Sequence, residues 1–266
     1  MGYIEAVILG IVQGLCEFLP VSSSGHLTVF QKAFGITEGN SFAIIMLHLG
    51  TLIAVFIVYR KQILELLKKP FQKKTYLLIV STVATILMYL VFGSMFDSLE
   101  GNGIALGCSF IFTAVLLLIT DFVVPQIKFK KNGEISDMSY PAAIGVGLMQ
   151  GIGILPGVSR SGSTITGARL FGLNKDSAAE YSFLMSIPAI LGGLVTEIPD
   201  LVKGGIGQID WLPTILGMLV AAVSGYFAIR FMIKLITKKK LWGFALYVGV
   251  LGLFLILDQS VFGLIF

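Results

Sequence analysis

Charged residues are scarce in this chain. Of its 266 residues 13% are charged and 56% are hydrophobic, and the net charge is only +4. Soluble domains carry about 25% charged residues, so this chain cannot cover a water-facing surface. The scarcity excludes a soluble enzyme and a disordered chain, and no basic surface for nucleic acid is expected. We therefore expect an integral membrane protein.

Cysteine is also rare. Cys16 and Cys108 both lie inside apolar stretches, so neither a disulfide framework nor a thiolate metal site is expected. A signal peptide is not expected either, because the N-terminal region lacks a basic start and Glu5 interrupts its apolar run.

Apolar segments that can cross about 30 Å of hydrocarbon, at roughly 20 helical residues each, dominate the chain. We predict six spans: 41–59, 76–92, 104–124, 178–196, 212–233 and 242–258. Asp121 and Asp258 lie near span ends and are expected to be solvated. Glycines inside the spans are expected to allow close helix packing.

The connections between the spans alternate in charge. Positive residues stay on the cytoplasmic side, so we expect the basic connections inside and the acidic ones outside. With six spans, this places the 1–40 region and the C-terminus outside. The basic connections are 60–74, 126–137 and 234–240, and the acidic ones are 93–103 and 197–211.

Two further apolar stretches, 1–36 and 138–173, are broken by glycine, proline and runs of serine. Non-helical backbone at membrane depth survives only where protein buries it or where it lines a wet cavity. Each stretch therefore predicts a re-entrant helical hairpin whose broken tip carries the serines.

These two stretches form an internal repeat. At an offset of 137 residues they share 11 identities over the 34 positions 3–36. Gln13 lies over Gln150 and Ser22 over Ser159. Composition alone produces some glycine and apolar matches, but the polar matches are harder to explain by chance.

The repeat predicts two halves, 1–137 and 138–266, integrated into one membrane domain. Each half has one hairpin and three spans, and an odd number of crossings inverts the second half. Hairpin 3–34 would then enter from outside and hairpin 140–172 from the cytoplasm. The predicted fold is an all-α integral membrane protein with six spanning helices and two re-entrant helical hairpins in an inverted-topology repeat.

The candidate chemistry lies at the broken tips. Glu17 and His26 flank the serine turn of the first hairpin, and Arg160 lies in the corresponding turn of the second. Inverted repeats place a site at their interface, and ionisable residues inside a membrane are usually functional. A carboxylate, an imidazole and hydroxyls around an anion-binding arginine suit hydrolytic phosphoryl transfer.

Each of these residues also has a structural interpretation. Arg160 could snorkel to the interface, His26 could pack in the core, and Glu17 could cap a helix. The occurrence of all three residues at the two tips fits these structural interpretations less well. His48, inside an apolar span, is expected to pack, with a bundle-facing role open. Glu180, at a span start, either supports Arg160 or lies at the interface.

Residues 13–26 (QGLCEFLPVSSSGH) and 156–164 (PGVSRSGST) together resemble the undecaprenyl-diphosphate phosphatase family, also called the bacitracin-resistance protein family. The resemblance covers the whole chain. It implies hydrolysis of undecaprenyl diphosphate to undecaprenyl phosphate and phosphate at the bacterial inner membrane. That step renews the lipid carrier for peptidoglycan and other wall polymers, and it protects against bacitracin. The resemblance also implies a divalent cation, Mg²⁺ or Ca²⁺.

The resemblance assigns roles to single residues. Glu17, Ser23, His26 and Arg160 match catalytic positions, and Glu17 also matches a metal ligand. Gln13 stands where the family has Glu or Gln, and it cannot take a proton, so it is limited to hydrogen bonding with metal or phosphate. The nucleophile stays open among Ser23, His26 and a metal-bound water. The other substrate-binding candidates are Ser22, Ser24, Ser159, Ser161 and Thr164.

The expected partners are a polyprenyl diphosphate lipid and the bilayer, with no nucleic acid. The diphosphate head would enter from the outer face. A lipid-phosphate transporter is the alternative, because inverted repeats with discontinuous helices are also transporter architecture. A scaffold is a third possibility, but it leaves the Glu17, His26 and Arg160 set unexplained. The sequence does not predict an oligomeric state.

Overall fold

The structure, a computed structural model, consists entirely of helices and their connections over the residues that it describes. The predicted cytoplasmic lysines Lys128, Lys130 and Lys131 lie outside those residues. The described ranges are 2–36, 41–99, 101–127, 133–204 and 210–266.

Within these ranges the chain forms eleven α-helices. In chain order they are α1 (Tyr3–Phe18), α2 (Ser23–Ala33), α3 (Ser41–Val58), α4 (Arg60–Lys68), α5 (Lys73–Ser98), α6 (Gly103–Leu118), α7 (Tyr140–Ile152), α8 (Arg160–Leu170), α9 (Lys175–Gly204), α10 (Trp211–Lys238) and α11 (Trp242–Leu257).

Long apolar helices make this an all-α, multi-pass membrane protein. A sixth candidate span joins α3 to α4, which bend by 78° around Tyr59. The predicted span 41–59 coincides with α3. The helix turns there because α4 carries Arg60, Lys61 and Lys68, whose charges lipid would not solvate. The other five spans are confirmed as Lys73–Phe96, Gly103–Gln126, Lys175–Thr196, Trp211–Lys238 and Trp242–Phe262.

Two broken helical hairpins are not among the candidate spans, although they pack against them. Helices α1 and α2 are separated by residues 19–22, and helices α7 and α8 by residues 153–159. Helix α2 and helix α8 begin and end at positions that differ by the 137-residue offset of the sequence repeat. Entry of the hairpins from opposite faces, and inversion of the second half, stay predictions.

Glycine allows the helices to approach one another closely. A Cβ at Gly10 of α1 would lie 2.6 Å from the Gly217 carbonyl oxygen of α10. Where α6 meets α11, a Cβ at Gly107 would lie 2.6 Å from the Gly252 carbonyl oxygen. These contacts confirm that glycines inside the spans allow tight packing.

A buried apolar core holds the first hairpin against the bundle. Phe18 at the end of α1 packs in a cluster with Phe110 of α6 and Phe183 of α9. The Phe18 and Phe183 rings meet edge-on, with centroids 5.7 Å apart. Because Phe18 is fixed in this way, the neighbouring tip of the hairpin is held next to α9 and α6.

The expectation that Asp121 and Asp258 are solvated is wrong, because both side chains are buried. Each lies in a five-residue π-helical turn after its α-helix. Asp121 accepts a hydrogen bond of 2.7 Å from the Trp242 amide. Both carboxylates satisfy buried backbone donors, which explains their burial. Asp258 accepts from three amides, those of Leu264, Ile265 and Phe266.

Candidate active site

The tip of the first hairpin is a tight, strained turn. Pro20, which has no amide hydrogen, follows the end of α1 and prevents the helix from continuing. Ser22 has a φ of +70°, the one positive φ of a non-glycine residue among the described residues. Its hydroxyl accepts a hydrogen bond of 3.3 Å from the Gly25 amide and so caps α2. Strain of this kind is typical of functional sites.

The second tip has the same capping arrangement. Ser159 precedes α8, and its hydroxyl accepts a hydrogen bond of 3.1 Å from the Gly162 amide. Gly157 takes a φ of +86°, which only glycine adopts without strain. In each hairpin the capped helix therefore begins at the first residue after the capping serine, Ser23 in α2 and Arg160 in α8.

The two tips lie against each other. A Cβ at Gly25 would be 2.9 Å from the Gly157 Cα, so glycine is required at this crossing. The Ser161 hydroxyl donates a hydrogen bond of 3.1 Å to the Leu19 carbonyl of the opposite tip. The N-terminal ends of α2 and α8 are thereby brought to one place.

Glu17 is the centre of the polar contacts between the tips. Its side chain is buried and forms an ion pair with Arg160, from Nη2 to Oε1. Its other oxygen, Oε2, accepts from the Ser23 hydroxyl at 2.6 Å and from Gln13 Nε2 at 3.0 Å. Four of the predicted site residues thus meet at one carboxylate.

The guanidinium of Arg160 has a hydrogen-bond donor that the described residues do not use. Its Nη2 binds Glu17, but its Nη1 is buried and has no hydrogen-bond partner among the described residues. The same holds for Gln13 Oε1 and for the hydroxyl of Ser163. Buried donors are normally satisfied, so an unused guanidinium N–H points to an anionic ligand.

Ser23 and His26 have different partners. The Ser23 hydroxyl donates to Glu17 and not to the imidazole. His26 Nδ1 lies 2.7 Å from the Ser22 carbonyl oxygen, and Nε2 lies 2.8 Å from the hydroxyl of Tyr247. Sequence reasoning missed Tyr247, because a tyrosine in an apolar span gives no signal of this contact.

The remaining predicted substrate-binding residues stabilise the tips. The hydroxyls of Ser22 and Ser24 are 3.3 Å apart, and those of Ser159 and Ser161 are 3.2 Å apart. Thr164 bonds to the Arg160 carbonyl, to the Ser161 carbonyl and to the Ser182 hydroxyl. Contact of these side chains with substrate stays a prediction.

The structure gives contacts for Glu180 and His48, whose roles the sequence left open. Glu180 forms an ion pair with Lys74, so it does not serve as the partner of Arg160. His48 Nδ1 lies 2.9 Å from the Ile44 carbonyl oxygen of its own helix. The packing role expected for His48 is consistent with this contact, and a role facing the site stays a prediction.

The donor set limits how a divalent cation could bind. Among the described residues no three His, Cys, Asp or Glu side chains come together as a metal cage. Glu17 supplies one carboxylate, and Gln13 supplies an amide oxygen that lacks a partner. Mg²⁺ often binds through one or two carboxylates together with substrate phosphates and waters, and these residues fit that pattern.

Comparison with known proteins shows the family of the chain. A family model described as Bacitracin resistance protein BacA matches residues 6–254. The chain is 44% identical to an undecaprenyl-diphosphatase of Carboxydothermus hydrogenoformans over 262 residues, which cover 98% of each chain. It is 40% identical to undecaprenyl-diphosphatase 4 of Bacillus thuringiensis subsp. konkukian, over 97% of this chain and 98% of the relative. It is 37% identical to an undecaprenyl-diphosphatase of Halothermothrix orenii, over 98% of this chain and 100% of the relative. Because the family model and these relatives match nearly the whole length of the chain, the chain belongs to the bacitracin-resistance protein BacA family.

Proposed function

We infer that this protein hydrolyses undecaprenyl diphosphate to undecaprenyl phosphate and inorganic phosphate. The carrying observation is the buried Nη1 of Arg160, which has no partner among the described residues, on an arginine paired with the same carboxylate that accepts from Ser23. The names of the relatives support a phosphatase over a lipid transporter. Removal of the diphosphate that bacitracin binds accounts for resistance to that antibiotic.

The tips suit a diphosphate electrostatically. Helices α2 and α8 each have 11 residues and begin at the site, so the positive ends of two helix dipoles converge there. Arg160 adds a planar fork that matches phosphate oxygens. A bound diphosphate would compete with Glu17 for this guanidinium.

Ser23 is the nucleophile that this geometry favours, because its hydroxyl already donates to a carboxylate. In the first step Ser23 Oγ attacks the terminal phosphorus, its proton passes to Glu17, and the bond to the bridging oxygen breaks. Undecaprenyl phosphate leaves with the bonding electrons. In the second step water attacks the phosphoserine, the Oγ–P bond breaks, and Glu17 returns the proton to Ser23.

A divalent cation, Mg²⁺ or Ca²⁺, belongs to the proposal. Glu17 and the Gln13 amide oxygen are the side chains that would hold it together with the substrate. A bound cation withdraws charge from the phosphate oxygens. Arg160 would also stabilise the negative charge on the phosphate oxygens, from the second hairpin. Glu17 and Arg160 would thus keep the head group between the tips.

The charge of the connections also indicates the membrane orientation of the protein. We place the protein in the bacterial inner membrane, with the site open to the outer face, because the basic connections then lie in the cytoplasm. The isoprenoid tail would stay in lipid between the spans. The lipid carrier returned in this way would serve peptidoglycan and other wall polymers.

The test is inorganic phosphate release from undecaprenyl diphosphate by the purified protein in detergent. Wild type should release phosphate, and Arg160→Ala should lower the rate by at least about 100-fold. Arg230→Ala is the control, since Arg230 is exposed on α10 and bonds to Tyr226. Release that survives Arg160→Ala would refute the site, and no release from folded wild type would favour the transporter.

A further inference from the structure

The contact between His26 and Tyr247 joins the first hairpin to a helix outside both hairpins. Tyr247 lies on α11, 221 positions from His26, and its hydroxyl is 2.8 Å from His26 Nε2. The two rings are also stacked, with centroids 5.6 Å apart and planes inclined by 22°. The reaction steps derived above do not use this tyrosine.

The other contacts of His26 determine the direction of this hydrogen bond. A backbone carbonyl only accepts, so the bond to the Ser22 carbonyl places a hydrogen on Nδ1. In the neutral imidazole Nε2 is then the acceptor, and the Tyr247 hydroxyl is the donor. Tyr247 and Ser22 therefore favour the same tautomer, with the hydrogen on Nδ1.

The ring of His26 is held by two hydrogen bonds and two aromatic rings. Phe110 of α6 meets it edge-on, with centroids 5.2 Å apart and an interplanar angle of 85°. Tyr247 covers its face, and both nitrogens are bonded. The imidazole is buried, whereas Tyr247 is half exposed, at 49%. Although Tyr247 is half exposed, its hydroxyl forms a hydrogen bond to this buried imidazole, which is a specific contact in addition to ring packing.

We propose that Tyr247 is a positioning residue of the phosphatase site, which donates a hydrogen bond to His26 Nε2 and fixes the orientation of that imidazole in the first turn of α2. The inference rests on the proposed function, because His26 lies three residues after Ser23 at the place where the diphosphate binds. Without the hydroxyl, the imidazole retains the Ser22 bond but can turn about it, and the first turn of α2, which also carries Ser23, is held less firmly.

The experiment compares wild type, Tyr247→Phe and Tyr76→Phe. Phenylalanine at position 247 keeps the stacked ring and removes the hydroxyl. Tyr76 is a half-exposed tyrosine of α5 and serves as the control. Each protein is labelled with [¹⁵N]histidine for NMR, and phosphate release is measured with farnesyl and undecaprenyl diphosphate. The chain has only two histidines, so His48 provides an internal reference.

Tyr247→Phe should shift the His26 Nε2 signal, leave the His48 signals in place and lower kcat about tenfold for both substrates. The KM values should change by less than about twofold. Tyr76→Phe should match wild type in every readout.

Unchanged His26 signals or an unchanged kcat in Tyr247→Phe would overturn the proposal. A KM increase confined to undecaprenyl diphosphate would also overturn it, since Tyr247 would then act by packing against the lipid tail. These results presuppose an active wild type. Inactive, folded wild type would instead refute the phosphatase function itself.

Discussion

Glu17 and Arg160 form a largely buried ion pair across the two hairpin tips although 143 positions separate them in the chain. Each residue belongs to a different half of the sequence repeat. The pair therefore links the two hairpin tips, and we propose that its charges serve the phosphatase site. A buried pair of this kind makes little net contribution to stability, but loss of one partner leaves an uncompensated charge.

Neutralising one member of this pair should destabilise the fold more than neutralising both. Glu17→Gln should lower the free energy of unfolding by about 3–5 kcal/mol, because Arg160 is left buried without its partner. The double variant Glu17→Gln, Arg160→Gln should recover part of that loss. Thermal unfolding in detergent measures the stability of the single and double variants. A double variant less stable than either single variant would contradict this expectation.

Removal of the Ser23 hydroxyl should stop the first chemical step. Ser23→Ala should lower kcat by at least about 100-fold, whereas Ser98→Ala, at an exposed position in α5, should leave it unchanged. Acid-quenched wild type should contain phosphoserine at position 23, which mass spectrometry detects. Substantial turnover by Ser23→Ala would mean that His26 or a water molecule attacks instead.

Close contact at Gly10 should make α1 intolerant of larger residues. Gly10→Ala would place a methyl group 2.6 Å from the Gly217 carbonyl oxygen and should cost about 1–3 kcal/mol of stability. Gly243→Ala is the control, since no atom lies within 4 Å of a Cβ there. Thermal melting should separate the two variants. Equal melting temperatures would refute the close approach of α1 and α10.

The metal proposal predicts that phosphate release requires a divalent cation. EDTA should abolish release, and Mg²⁺ or Ca²⁺ should restore it. Glu17→Asp should raise the cation concentration needed for half-maximal rate roughly tenfold, because the shorter carboxylate reaches the ligand less well. Glu65→Asp, at an exposed position in α4, should not change it. Full activity in EDTA would exclude the metal role of Glu17.

Much of the architecture could be predicted because apolar length is a strong signal in membranes. The spans and the two broken stretches follow from hydropathy, glycine and proline. The 137-residue offset also indicated that Glu17 and Arg160 belong to equivalent tips. Their ion pair is the expected consequence of bringing the tips together.

Contacts that depend on helix rotation could not be predicted. Tyr247 reaches His26 only because α11 packs on α6 in one particular register, and an apolar span does not reveal its register. Asp258 looks like a solvated residue at a span end, yet it is buried because the following backbone folds back onto it. The partner of Glu180 proved to be Lys74, from a helix more than 100 positions away.

Binding of a non-hydrolysable diphosphate tests the central claim most directly, namely that Arg160 binds the diphosphate. Calorimetry would measure the Kd of a farnesyl methylenediphosphonate for wild type, Glu17→Gln and Arg160→Gln in the absence of metal. Glu17→Gln should bind at least as tightly as wild type, because no carboxylate competes for the guanidinium. Arg160→Gln should bind at least about tenfold more weakly, as expected for the loss of a charged hydrogen bond. Equal affinity of Arg160→Gln and wild type would contradict the account.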